Sequence, residues 1–164
     1  MIGSTFDVLV ADERTQLEAY LETYRAVIAA ALDGVTEDEA RARLVPSATT
    51  LLGLVKHVTY VERIWFGEAV GGTPRAELGL PASSEVSFEL APADTIAGVL
   101  AAHSAACEAS RSAIAGLPLE YVTSGHRFGA MNLRWILLHM IRELAQHAGH
   151  AEILREQLIS ARPG

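Results

Sequence analysis

The chain is constrained most by one stretch, HMIRELAQHAGH at residues 139–150. It lies inside a longer run of helical periodicity over about residues 132–158. At about 100° per residue, His139, Glu143, His147 and His150 fall within roughly 80° of one another. Ile136, Met140, Leu154 and Leu158 point the same way, whereas Arg134, Arg142, Glu152 and Glu156 mark the surface face. A helix that carries a carboxylate and several imidazoles on its core side incurs a desolvation cost, which is offset when those groups pair or hold a metal. Two readings follow. In the simpler one, a histidine on an apolar face is a hydrogen-bonded core residue, and a Glu and a His four apart pair with each other. In the other, Glu143 and His147 chelate one ion, since side chains at that spacing leave the helix about 5–6 Å apart at Cβ. A third ligand from elsewhere in the chain decides between them.

The remaining sequence supplies helices for that one to pack against. Leu17, Tyr20, Leu21, Tyr24, Val27, Ile28 and Ala31 recur at helical spacing and predict a helix over about residues 12–32, stopped at Asp33-Gly34. Thr36 followed by Glu39 is a capping box, which predicts a short helix over residues 37–44 before Pro46. A second long helix is expected after Ser47-Ala48-Thr49 and as far as about Val70, with Gly71-Gly72 beyond it. On its wheel His57 shares a face with Gly53, Leu54, Val61, Ile64 and Trp65, while Lys56, Thr59 and Arg63 point the other way. Gly53 costs about 1 kcal/mol relative to alanine inside a helix, which predicts that another element approaches closely there.

Residues 71–91 turn to Gly, Pro, Ser and Glu and read as a long connection, part of it a candidate lid. A third long helix is expected from Pro92 to about Ala115; it carries His103 and Cys107, an i, i+4 pair read as buried and structural. Residues 120–131 read as loop, and Arg162-Pro163-Gly164 as a frayed tail. With no strand pattern of comparable length, the 164 residues are expected to form one domain, residues 1–164, an all-α four-helix bundle with long crossover connections. Packed helices lie about 8–10 Å apart, so an imidazole on the second long helix reaches an ion held by the last. His57, the one histidine of that helix and inward-facing, is the natural third ligand.

Composition narrows the function classes. Thirteen basic against 20 acidic residues leave a formal charge of -7, which disfavours a nucleic-acid backbone as partner. A single cysteine excludes an intrachain disulfide. The start, MIGSTFDVLVADER, lacks a basic n-region and a long apolar run, and 18 successive apolar residues occur nowhere, so a soluble cytoplasmic protein without membrane attachment is expected.

Two runs carry a family likeness. SATTLLGLVKHVTYVERIWF (residues 47–66) together with NLRWILLHMIRELAQHAGHAEILRE (residues 132–156) resembles the DinB-like superfamily, in particular its actinobacterial branch. The resemblance implies a four-helix bundle of DinB/YfiT-like type in which one histidine of the second helix and two residues of the last bind a divalent metal, usually zinc or nickel. With His147 at the final ligand position, Glu143 stands where many members have histidine. That set is similar to the one in the N-terminal domain of mycothiol-dependent maleylpyruvate isomerase. Carried over residue by residue, the ligands are His57, Glu143 and His147. The implied chemistry is a metal-dependent transferase or isomerase that uses a small thiol such as mycothiol and an electrophilic substrate. Because the isomerase has an additional C-terminal domain, its particular substrate is not expected here.

Further roles follow from position. His150, one turn beyond His147, is a candidate fourth ligand or catalytic proton carrier, and His139 a candidate donor to Glu143. Arg127 and Arg134, at the entrance to the last helix, are candidates to hold a carboxylate of cofactor or substrate. Trp65, Phe66 and Trp135 either fill the core or contribute to a homodimer interface, which the resemblance implies. Two other classes stay open: a metal hydrolase, whose ion lowers the pKa of bound water toward 7, and a non-catalytic metal-binding protein.

Overall fold

In the computed structural model the described residues are 5–81, 83–124 and 126–162. Pro163 and Gly164 of the expected tail and residues 1–4 of the N-terminal stretch lie outside them. The first long helix, α1 (Glu13–Ala30), starts at Asp12, whose carboxylate accepts from the Thr15 amide. The capping box is present: Thr36 and Glu39 satisfy each other's backbone amides at the start of α2 (Glu37–Arg41). Helix α3 (Leu51–Glu62) is capped by Thr50, one residue beyond the expected hydroxyls, and continues as a π-helix over Arg63–Val70. After a 3-10 turn at Val86–Phe88 comes α4 (Ile96–Ile114), capped by Thr95. The last helix, α5 (Leu133–Ser160), is the longest element, and Asn132 caps it.

The chain is thus all-α apart from one correction. Residues read as loop contain a two-stranded antiparallel hairpin, β1 (Val122–Thr123) against β2 (Met131–Asn132). Strands of two residues are too short to show an alternating pattern. Arg162 is also not frayed, for it bonds Glu39 at 2.7 Å and the Gly34 carbonyl at 2.8 Å.

Four long helices pack on one another, α1 along α5, α3 along α4 and α3 along α5. Their shared core includes Leu21, Ile28, Leu52, Val55, Phe66, Ile136, Leu137, Met140 and Leu144. Because α3 has neighbours on several sides it is buried almost throughout, and Thr59, expected on the outer face, is buried. Across the core Glu62 of α3, 0% exposed, takes a two-pronged bond from Arg25 of α1 at 2.8 and 2.6 Å and a third from Ser110 of α4 at 2.7 Å. Charge and lone pairs of this acid are met inside the core. Among the described residues no helix is long and apolar enough to cross a membrane.

Candidate metal centre

His57 lies in the middle of α3 and is 4% exposed. A wall from the connection between α3 and α4 holds its ring. The Phe88 ring stacks on it at 3.9 Å between centroids with 12° between planes, and Ser87 Oγ stands 2.7 Å from Nδ1. Gly53, one turn earlier, explains how that wall comes so near. A Cβ at this position would meet the Phe88 carbonyl oxygen at 2.5 Å, closer than any side chain tolerates. The glycine therefore marks the close approach that its place inside a helix predicts.

Opposite stands α5. His147 Nε2 is 3.3 Å from Glu143 Oε1, and the His147 and His57 rings meet edge-on at 4.7 Å. One ligand atom from each of His57, Glu143 and His147 lies within 4.8 Å of the other two. Tetrahedral zinc with bonds of about 2.0–2.2 Å needs donor atoms about 3.3–3.6 Å apart, the spacing that His147 Nε2 and Glu143 Oε1 have at 3.3 Å. Arg142 donates to the other carboxylate oxygen, Glu143 Oε2, at 2.8 Å.

The protonation states suit a cation. Burial, followed by the neighbouring His147, pushes the His57 imidazole down to about 4, so that it is neutral at neutral pH. The His147 hydrogen bond outweighs burial at Glu143 and holds its carboxyl below the usual carboxylate range. Metal ligands must be deprotonated, and these two are. His147 Nδ1 is buried with no hydrogen-bond partner among the described residues. Left unpaired, a buried nitrogen of this kind costs about 1–3 kcal/mol, a cost that a bound group would offset. Two imidazoles and a carboxylate suit a borderline divalent transition metal rather than calcium or magnesium.

A family model described as mycothiol-S-transferase matches residues 16–159, a span that contains all three residues of the cluster. The chain belongs to this DinB-like family. No curated protein matches it.

In this mycothiol-S-transferase family member, the other sequence candidates are not among the three converging residues. His150 is exposed, its ring 5.7 Å from that of His147 and edge-on to it. His139 does not serve Glu143, whose hydrogen bonds come from His147 and Arg142; it stacks on Trp135 at 5.1 Å and packs on Trp65 at 4.3 Å. Arg134 pairs with Glu13 and Glu120 at 2.7 and 2.6 Å, nine residues before Glu143 and so about 14 Å along the helix axis. Arg127 lies over the Phe128 ring at 4.6 Å. Trp65 and Phe66 are core, whereas Trp135 is 45% exposed. Cys107 is buried against His103, and burial, with Glu62 nearby, pushes its thiol up to about 12, so it carries no thiolate. Sequence reasoning missed Ser87, Phe88 and Arg142. Gly53 signalled the approach of the first two without naming them.

Proposed function

We propose that the protein is a divalent-metal-dependent S-transferase acting on a small thiol of the mycothiol type, with His57, Glu143 and His147 as its zinc or nickel ligands. The convergence of those three ligand atoms within 4.8 Å, in a chain of this family, carries the reading. His57, Glu143 and His147 would hold such an ion, which would supply the Lewis acidity that favours deprotonation of a thiol whose free pKa is near 8.5. The protein's own residues do the rest. With two imidazole ligands, which bind a metal in their neutral form, and one carboxylate, such a site would carry about one positive charge in excess, which would favour an anionic sulfur over a neutral alcohol. Phe88 and Ser87 keep water from the back of His57. His150, exposed and next to His147, carries the thiol proton to bulk water.

The finer form of the fold that goes with this reading is the DinB-type bundle with crossover connections, working in the cytoplasm as one domain. An isomerase would use the same thiol step.

Turnover of monochlorobimane by the zinc-loaded protein, with mycothiol, with glutathione and without thiol, tests the proposal. Acceleration by mycothiol is expected. The same donor set also serves metal hydrolases. Thiol-independent ester or amide cleavage that Glu143→Ala abolishes would replace the transferase with a hydrolase, and no turnover of either kind would leave a metal-binding protein.

A further inference from the structure

The hydrogen bonds behind His57 admit one arrangement of hydrogens. A carbonyl oxygen only accepts, and Ser87 Oγ stands 2.6 Å from that of Ser84. Two oxygens come so close only with a hydrogen between them. Ser87 has a single hydroxyl hydrogen, and it is therefore committed to Ser84. Toward His57 Nδ1, 2.7 Å away, Ser87 Oγ is left as acceptor. The hydrogen in that contact belongs to Nδ1. A neutral imidazole has one N–H, so Nε2 keeps its lone pair.

We infer that Ser87 is a positioning residue that fixes His57 as the Nδ1–H tautomer, leaving Nε2 as the atom it contributes beside Glu143 and His147. The inference rests on the metal reading above and deepens it, because it names the group outside the ligand set on which that set depends. Ser87 is buried, so water does not compete for the bond. Phe88, stacked on the ring, opposes the flip that would exchange the two ring edges. Gly53 admits the whole turn to contact distance. Metal-ligating histidines generally donate their second nitrogen to a fixed acceptor, and loss of such acceptors typically weakens metal affinity 10- to 100-fold. Here the acceptor is a serine whose own hydrogen is occupied.

The test compares full-length wild type with Ser87→Ala and Ser87→Thr. Long-range ¹H–¹⁵N spectra of metal-free protein report the His57 tautomer, and competition with a chromophoric chelator reports zinc affinity. The expected results are Nδ1–H in wild type, zinc binding about 10- to 100-fold weaker in Ser87→Ala, and recovery in Ser87→Thr, which keeps the hydroxyl. Metal-free Ser87→Ala should melt lower than metal-free wild type, since the His57 N–H loses its buried partner, but should stay folded with the same helix content, so that the zinc loss reports the ring and not the fold. An Nε2–H ring in the wild type, zinc affinity unchanged in Ser87→Ala, or equal loss in both variants would overturn the inference. Wild type that shows the Nδ1–H ring yet takes up no zinc would overturn the metal reading instead, since the tautomer is read without metal.

Discussion

His57 is kept neutral by burial, and that has a consequence for stability in the metal-free protein. The folded ring takes a proton only near pH 4, whereas the ordinary value is 6.5. Between the two the unfolded chain binds more protons, and stability falls as pH falls. Burial lowers His103 in the same direction. Most carboxylates titrate below pH 5, so urea denaturation of chelated protein at pH 6.5 and 5 isolates the imidazoles. The more acidic sample is expected to unfold at lower urea, and equal midpoints would contradict the burial of neutral rings. At this scale the helical wheel brought His57, Glu143 and His147 to light because each lies on the core side of a regular helix. His139 and His150 share the same arc of α5 but have different surroundings, an aromatic cluster and solvent. A wheel gives the direction in which a side chain leaves the axis and not what stands there. The pairing of Arg142 with its neighbour Glu143 is likewise invisible to periodicity, since adjacent residues do not share a helical face.

Helix α3 is the element on which the site and the core both depend. By helix propensity alone Gly53→Ala should stabilise the protein by about 1 kcal/mol. Its Cβ would meet the backbone oxygen of Phe88 at 2.5 Å, so the turn over His57 must shift. The expected outcome has the opposite sign, a lower urea midpoint together with weaker zinc binding, and a gain in stability would show that the turn yields without cost. At the other end of α3, Glu62→Ala takes from the buried Arg25 guanidinium its two-pronged partner and leaves it the half-buried Glu22, at 2.6 Å. A loss of about 3–5 kcal/mol is expected, most of it recovered in a double variant, Arg25→Met with Glu62→Leu; a double variant as unstable as the single would refute that account. The long helices were legible in the sequence because amphipathic periodicity and capping residues such as Asp12, Thr36 and Asn132 act locally. Neither the turn that carries Ser87 and Phe88 nor the hairpin was legible. Both are placed by contacts with residues far along the chain, and neither is long enough to repeat a pattern. The π-helical continuation of α3 had no sequence signal either.

In the molecule as a whole the proposed ligands join α3 to α5, so metal binding and folding are linked. A strong chelator is expected to lower the melting temperature by mass action, and a melt unaffected after proven metal removal would uncouple the two. We propose a homodimer, for which Trp135 and Phe128, 45% and 61% exposed, are candidate aromatic contacts. Light scattering at micromolar concentration should give twice the chain mass; a monomer mass would contradict it. The net charge of -7 and the all-α class were readable from composition and period, because each is a property summed over many residues. The chemistry turns on three. Metal analysis of the purified protein by mass spectrometry tests them most directly. About one zinc or nickel per chain is predicted in wild type, with most of it lost in His57→Ala and in His147→Ala; wild-type metal content in both variants would contradict the assignment of the site.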